Sequence, residues 1–168
     1  FHGGGRRAGM GKRLLCIGGT RFIGRATVET FLAEGFEATV FTRGNTENPF
    51  ADDDRVDHVE GDRRTDADLE AAARTVDPDV VVDLVAYYPR DVRVATDVFA
   101  DVDAYVYVSS GDAYGEEAVP KREDETPLES CTEEQATDDS WSTYGARKAE
   151  GDRAVFAAAG DGVNAMAV

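Results

Sequence analysis

A tyrosine and a lysine stand four residues apart in the segment Tyr144-Gly145-Ala146-Arg147-Lys148. Residues at this spacing share one face of a helix, so their polar ends would lie close together. A phenol with its ordinary pKa of about 10 is a poor base at neutral pH, but a nearby ammonium favours the phenolate and lowers that pKa. Ser110, earlier in the chain, could donate a hydrogen bond to the same substrate oxygen. The three residues predict acid–base chemistry at a carbon–oxygen group, although Tyr-x-x-x-Lys alone also occurs on many surface helices.

A second group of candidate residues is the glycine-rich turn Gly18-Gly19-Thr20-Arg21-Phe22-Ile23-Gly24, which follows the apolar run 14–17. Glycine lets the backbone approach phosphate groups, and the helix that follows supplies free N–H groups and a partial positive charge. The spacing is a variant of the dinucleotide fingerprint, with Arg21 standing between the glycines. We expect the turn to hold a pyrophosphate; the alternative is an ordinary strand-to-helix connection.

The elements that would position these residues alternate between buried strands and amphipathic helices. Strand patterns occur at 14–17, 38–42, 56–59, 80–85, 105–108 and 163–168, and helical patterns include 91–102 and 141–159. Alternation of this kind predicts an α/β fold, a doubly wound parallel sheet with helices on both faces and the strand order 3-2-1-4-5-6 of a Rossmann fold. Ligands of such sheets bind at the carboxyl ends of the strands, where the candidate residues lie.

The residue after the second strand bears on the choice of cofactor. An acid there binds the 2′-hydroxyl of a ribose, whereas an arginine suits a 2′-phosphate. The chain has Thr42 and Arg43 and no acid, which favours NADP over NAD unless Arg43 is only a surface charge. After the third strand, Asp62 could accept a hydrogen bond from an adenine amino group or cap the next helix. Asp83, inside the apolar fourth strand, must be hydrogen-bonded if it is buried.

The charge and cysteine content argue against several classes of function. The formal net charge is −16, with 34 acidic and 18 basic residues, and a field of that sign repels nucleic acids. The composition resembles that of proteins from salt-loving organisms, although an ordinary acidic protein would also fit. The sequence contains no apolar run long enough to span a membrane. Cys16 and Cys131 have no metal-binding spacing, so we expect no metal and a reducing, cytoplasmic setting.

Five motifs together resemble the extended branch of the short-chain dehydrogenase/reductase superfamily, the NAD(P)-dependent nucleotide-sugar epimerases and dehydratases. They are IGGTRFIG (17–24), GDRR (61–64), DLVAYYPRDV (83–92), YVYVSSGDAYG (105–115) and YGARK (144–148). The resemblance covers residues 12–168, and the combination is specific although each motif alone is not. It implies hydride transfer between a nicotinamide and a small-molecule substrate, with residues 10–168 forming the cofactor-binding domain.

The resemblance also implies roles for individual residues. Tyr144 would be the general base, Lys148 would bind the nicotinamide ribose and lower the pKa of that tyrosine, and Ser110 would orient the substrate. Asp62 would contact adenine, and a homodimer would form through the helix at 141–159. The residues expected around the cofactor are Gly18, Gly19, Thr20, Arg21, Phe22, Ile23, Gly24, Arg43, Asp62, Arg63, Val85, Ala86, Tyr87, Ser109, Tyr144 and Lys148.

The chain departs from the family pattern in four places. Arg21 replaces the usual middle glycine, as in an atypical subgroup that includes reductases and chloroplast RNA-binding relatives. The acidic stretch 116–139 lengthens the path from Ser110 to Tyr144 and is interpreted as an inserted loop. Gly111-Asp112 stands where dehydratases carry an Asp-Glu pair, which disfavours dehydration. Family members continue beyond the sixth strand into a substrate-binding part.

The last departure leads us to expect a fragment that binds cofactor weakly and lacks turnover, with residues 1–9 as a tag-like or disordered start. Two classes of function remain open: an NAD(P)-dependent epimerase or reductase, and a non-catalytic cofactor-binding regulator or RNA-binding relative.

Overall fold

The computed structural model describes residues 11–115 and 120–168. Its centre is a six-stranded sheet in which every neighbouring pair is parallel and the order is β3-β2-β1-β4-β5-β6. The predicted fold class and strand order are therefore confirmed. The strands are β1 (Arg13–Ile17), β2 (Glu37–Thr42), β3 (Val56–Glu60), β4 (Val80–Asp83), β5 (Ala104–Tyr107) and β6 (Ala165–Ala167).

Helices cover both faces of the sheet. Successive residues of β1 point to opposite faces, so Leu15 and Ile17 join one apolar cluster while Leu14 and Cys16 join another. The first cluster is completed by α2, α3 and α5, and the second by α1. The helices are α1 (Phe22–Ala33), α2 (Asp66–Val76), α3 (Pro89–Val98), α4 (Glu133–Thr137) and α5 (Tyr144–Gly160).

Several predicted boundaries were wrong. The helix expected at 91–102 runs from Pro89 to Val98, and the Tyr88 N–H before it donates to the Asp91 carboxylate at 3.2 Å. A proline is well placed there because the first helical turn needs no N–H partner. The fourth strand ends at Asp83 rather than at residue 85. The last strand covers Ala165–Ala167 rather than 163–168. Residues 141–143 form a 3₁₀ turn, so the long helix begins only at Tyr144.

The acidic stretch 116–139 is not a loop throughout. Thr132 and Gln135 cap each other's backbone and begin α4, which the sequence analysis missed. Leu128 forms a bridge to Tyr114, and the Arg153 guanidinium donates to the carbonyl oxygens of Leu128 and Glu129. The part of this stretch at 116–119, like the start at 1–9, lies outside the described residues. No helix of the described segments has the length and apolarity that a bilayer crossing requires.

Candidate functional site

A single cleft of about 720 Å³ runs along the carboxyl ends of the central strands. The loops after β1, β2, β3, β4 and β5 all contribute to its walls, as expected for a doubly wound sheet. A smaller depression of about 520 Å³, between α1 and residues 49–55, shares no residue with this cleft. The larger cleft is therefore the candidate functional site.

The turn after β1 needs glycine at both ends. Gly18 has φ +89°, and a Cβ on it would lie 2.7 Å from the Val85 side chain. A Cβ on Gly24 would lie 2.6 Å from the Gly18 carbonyl oxygen. Because that oxygen belongs to the backbone, it could move away only if the turn itself changed conformation. Arg21, in contrast, has extended backbone with φ −135°, so an L-residue is tolerated at this position between the glycines. Phe22, the next residue, adopts a left-handed backbone conformation with φ 42°, and its side chain is 90% exposed.

The N-terminus of α1 opens into the cleft. In this turn no side chain caps the helix, and its first turn contains no acidic residue. The free N–H groups and the positive end of the helix dipole therefore face the cleft without a competing negative charge. Such an arrangement suits a phosphate group.

Three of the four arginines that line the cleft have no carboxylate partner among the described residues. Among the described residues, nine arginines lie within 4.0 Å of a carboxylate oxygen. Arg21, Arg43 and Arg64 form no such pair with a described residue, and all three line the cleft. In a chain with 34 acidic and 18 basic residues, unpaired arginines on one cleft indicate an anionic ligand.

The buried lysine stands at the other end of the cleft. Lys148 is 1% exposed, and its Nζ donates to the carbonyl oxygens of Ala86 at 3.1 Å and Val108 at 2.7 Å. The ammonium also lies 4.5 Å from the centre of the Tyr107 ring and 5.7 Å from that of Tyr87. Burial lowers the pKa of Lys148 to about 8.

Tyr144 lies on the same face of α5 as Lys148 and lines the cleft. Burial raises its pKa above the ordinary value, and the adjacent Ser110 side chain offsets part of that rise. The role implied for Lys148, lowering the pKa of this tyrosine, stays a prediction: the ammonium donates to two carbonyl oxygens, and burial is the largest influence on the phenol. Ser110 itself caps a short turn by accepting from the Asp112 N–H at 3.2 Å. It lies beside the tyrosine but is not part of the cleft wall.

Arg147 ties the start of α5 to its surroundings. Its guanidinium donates to the carbonyl oxygens of Tyr87 at 3.0 Å and Ser140 at 3.1 Å, and it stacks 4.9 Å from the centre of the Tyr88 ring. The Arg64 guanidinium lies 4.7 Å from the same ring. The Tyr88 hydroxyl donates to Asp139. Tyr88 is thus held between two cations at the edge of the cleft.

Most of the predicted cofactor-binding residues line this one cleft. They are Gly18, Thr20, Arg21, Phe22, Ile23, Gly24, Arg43, Asp62, Arg63, Val85, Tyr87, Ser109, Tyr144 and Lys148. Gly19 and Ala86 do not line the cleft. Gly19 is packed against Cys16 and Val40, and Ala86 is fully buried with its carbonyl bound to Lys148. Arg63 lines the cleft but is 6% exposed and already paired with Asp83.

The sequence analysis missed Arg64, Tyr88, Asp91 and Asp139, all of which line the cleft. Arg64 belongs to the quoted GDRR motif and could have been included on that ground. Asp139 comes from the acidic stretch, and no local pattern indicates that it meets Tyr88. Among residues 11–115 and 120–168, no group of three or more His, Cys, Asp or Glu is placed to hold a metal ion.

Comparison with known proteins gives one matching family. The model of the NAD dependent epimerase/dehydratase family matches residues 14–102. Among curated proteins, the chloroplast stem-loop binding protein of 41 kDa b from Arabidopsis thaliana is 29% identical over 114 residues, which are 61% of this chain and 30% of that protein.

Solved structures show the same fold at low identity. WbmG of Bordetella bronchiseptica in complex with NAD has a TM-score of 0.75 and 20% identity over 95% of this chain. The dTDP-glucose 4,6-dehydratase of Bacillus anthracis in complex with NAD has a TM-score of 0.72 and 21% identity over 93% of this chain. WbmG was also solved with NAD and UDP. The chain spans about half the length of these proteins, 53% of WbmG and of the dehydratase.

Proposed function

Because the chain belongs to the NAD dependent epimerase/dehydratase family, we propose that its cleft binds a nicotinamide dinucleotide and serves an epimerase or oxidoreductase reaction. The observation that carries the proposal is the turn from Gly18 to Gly24. Two positions there have no room for a Cβ, and the uncapped helix N-terminus faces the cleft. A diphosphate would lie against this turn and accept hydrogen bonds from its free N–H groups.

The unpaired arginines favour NADP as the dinucleotide. Arg43 follows β2 at the position that contacts the adenosine ribose in dinucleotide folds, and Arg64 stands at the end of the neighbouring β3 loop. Thr42, the residue before Arg43, is hydrogen-bonded to His58 at 2.8 Å and offers no carboxylate for a 2′-hydroxyl. A 2′-phosphate would supply the anion that these guanidinium groups lack within the described chain.

The residues at the other end of the cleft would carry the proton chemistry. A bound nicotinamide would supply the hydride acceptor and donor for the substrate carbon. As the phenolate, Tyr144 would take the hydroxyl proton while the carbon–oxygen bond becomes a carbonyl, and as the phenol it would return that proton in the reverse direction. Lys148 would hold the nicotinamide ribose by a hydrogen bond, and Ser110 beside Tyr144 would orient the substrate oxygen. The substrate we propose is a nucleotide-sugar or a similar hydroxyl or carbonyl compound.

Cofactor binding by this chain tests the first part of the proposal. We expect NADPH to raise the unfolding temperature in a thermal titration and NADH to raise it less at equal concentration. Arg43→Ala should abolish the difference between the two cofactors, whereas Arg74→Ala, on the exposed side of α2, should leave it unchanged. A chain that no dinucleotide protects at millimolar concentration would contradict the proposal.

Turnover tests the role of Tyr144, in a protein of the full length of the relatives that the chain matches. In such a protein Tyr144→Phe should lower kcat by at least about a hundredfold while the Kd for dinucleotide changes little. Full activity of that variant would refute the assigned role. The proposed homodimer would form through α5 and the preceding turn, where Trp141 and Phe156 are exposed; the molar mass in solution, measured by light scattering, checks this.

A second candidate is a relative that keeps the fold and binds RNA without chemistry. The match to a chloroplast stem-loop binding protein, and Arg21 in place of a glycine, favour it. The net charge of −16 opposes it, because phosphate backbones would be repelled. Binding of a labelled RNA stem-loop at several salt concentrations separates the two: RNA binding that weakens steeply with salt, with no protection by dinucleotide, would favour this alternative.

A further inference from the structure

The buried charges of the described residues are balanced. Within the described residues, six charged side chains are buried, three cations and three anions, and all come from segments that border the cleft or the helix behind it. They are Arg63, Asp83, Asp91, Arg147, Lys148 and Asp152. Because a buried charge without a counter-charge is costly, such a set is stable only if each member has a partner.

Five of these six have a direct hydrogen-bond partner. Asp83 lies 2.5 Å from the Arg63 guanidinium, Asp91 accepts from a backbone N–H, and Arg147 and Lys148 donate to carbonyl oxygens. Asp152 differs, since it is 3% exposed and its Oδ1 has no hydrogen-bond partner among the described residues. No cation of the described chain lies within 4.0 Å of this carboxylate. Asp152 is thus the buried anion without a contact partner.

The position of Asp152 relates it to the lysine in the cleft. The two residues are four apart on α5, so they share a helix face, and Tyr144 stands a further turn away on that face. Burial raises the pKa of the Asp152 carboxyl, and the nearby hydroxyl of Ser109, which lines the cleft, offsets part of that rise. Neither Ser109 Oγ nor Asp152 Oδ1 has a partner within 3.5 Å among the described residues. Asp152 and Lys148 therefore lie one helical turn apart on the buried face of α5, in an interior of low dielectric constant where charges interact more strongly than in water.

The hydrogen-bond count of Lys148 shows why its charge matters. An ammonium has three N–H donors, and two of them are used by the carbonyl oxygens of Ala86 and Val108. The third is left for a ligand in the cleft. A neutral amine has only two N–H groups and would have none left for a ribose hydroxyl.

We propose that Asp152 is a positioning residue that keeps Lys148 protonated, so that the lysine retains a donor for the cofactor. The inference rests on the proposed function of the cleft. The groups that face the ammonium are Asp83 on β4, Asp91 on α3, Asp152 and Arg147 on α5, and the rings of Tyr87 and Tyr107. Asp83, the carboxylate with the largest effect on the ammonium, is also paired with Arg63, whereas Asp152 is paired with no cation of the described residues.

The titration of Lys148 tests this directly, without activity. The chain has only three lysines, Lys12, Lys121 and Lys148, so lysine labelled with carbon-13 at Cε gives three resonances, and Lys148→Arg identifies the third. We expect the pH midpoint of Lys148 to fall by about one unit in Asp152→Asn. Asp97→Asn, which removes an exposed carboxylate from α3, should move it much less. Asp152→Glu should restore most of the midpoint.

A purely structural role predicts a different result. Replacing an unpartnered buried carboxylate by an amide would then change only the stability and leave the Lys148 midpoint where it is, and that outcome overturns the proposal. If Asp152→Asn does not fold, Asp152→Ser provides the same measurement with a smaller neutral side chain.

Dinucleotide binding provides the second readout. The measurement uses whichever dinucleotide protects the chain more. Its Kd should rise as the pH passes the Lys148 midpoint, and in Asp152→Asn this rise should occur at a lower pH than in the wild type. A Kd that is independent of pH across the Lys148 midpoint contradicts the link to the cleft. If no dinucleotide binds at any pH, the proposed function fails, but the titration still decides whether Asp152 controls the lysine.

Discussion

The guanidinium of Arg63 lies 2.5 Å from the carboxylate of Asp83, and both side chains are buried where β4 ends beneath the cleft. Asp83 also accepts from the Tyr105 hydroxyl at 3.1 Å and from the Val85 N–H at 3.2 Å. Arg63 donates in addition to the Asp91 carbonyl oxygen at 2.7 Å. One ion pair therefore connects the loop after β3, the end of β4 and the start of α3.

Breaking this pair from one side should destabilise the fold strongly. Asp83→Ala leaves the Arg63 charge buried without a counter-ion, which typically costs about 3–5 kcal/mol. The measurement is the free energy of unfolding in urea. Glu29→Gln, which breaks the exposed pair with Arg25 on α1, should change it by less than about 0.5 kcal/mol. Equal effects of the two substitutions would contradict the structural role assigned to the buried pair.

A methyl group at Gly24 should disrupt the turn that we assign to the pyrophosphate. The added Cβ would lie 2.6 Å from the Gly18 carbonyl oxygen and 2.9 Å from the Gly19 Cα, so the backbone must shift. We expect Gly24→Ala to lower the unfolding temperature and to abolish protection by dinucleotide. Gly160→Ala, at the end of α5 with open space around it, is the matched control and should be neutral or slightly stabilising. Cofactor binding by Gly24→Ala with wild-type affinity would argue against the assigned pyrophosphate site.

The strand order and the cleft could be predicted from the sequence because both follow from local patterns. These patterns are the apolar strand runs, the glycines at 18 and 24, and the Tyr144–Lys148 spacing. Each of them lies within a single strand, turn or helix. What could not be predicted depends on contacts between distant residues. Arg63, expected near a ligand, is held by Asp83, twenty residues further along the chain. Lys148 donates to backbone carbonyls that follow two different strands, and these contacts could not be predicted from helix spacing.

Lys148 should make stability depend on pH in a defined direction. Its pKa is about 8 in the folded chain and about 10.5 when unfolded, so the unfolded state binds more protons between these values. Stability contributed by this group therefore rises with pH across that window. The unfolding free energy of the wild type minus that of Lys148→Met should increase by about 3 kcal/mol between pH 7 and pH 10.5.

The hydrogen bonds that Lys148→Met loses change the difference in unfolding free energy by the same amount at every pH. The variation of that difference with pH therefore reports only the titration of Lys148. Lys12→Met, which removes an exposed lysine paired with Asp103, reports the general effect of losing a positive charge. A difference curve for Lys148→Met that is flat, or that falls with pH, would show that the ammonium is not desolvated as the structure indicates.

Tyr88 should fix the start of α5 relative to the cleft. Its ring lies between the guanidinium groups of Arg64 and Arg147, and its hydroxyl donates to Asp139 on the acidic stretch. Cation–π contacts of this kind contribute about 0.5–1 kcal/mol each. Tyr88→Leu removes both contacts and the hydrogen bond, whereas Tyr88→Phe keeps the ring between the two cations. We expect faster amide hydrogen exchange at residues 138–144 in the leucine variant, and a smaller increase in the phenylalanine variant. Because Arg147 also holds the Tyr87 carbonyl, the leucine variant should bind dinucleotide more weakly as well. If both variants exchange at the wild-type rate, the stack does not hold this segment in place.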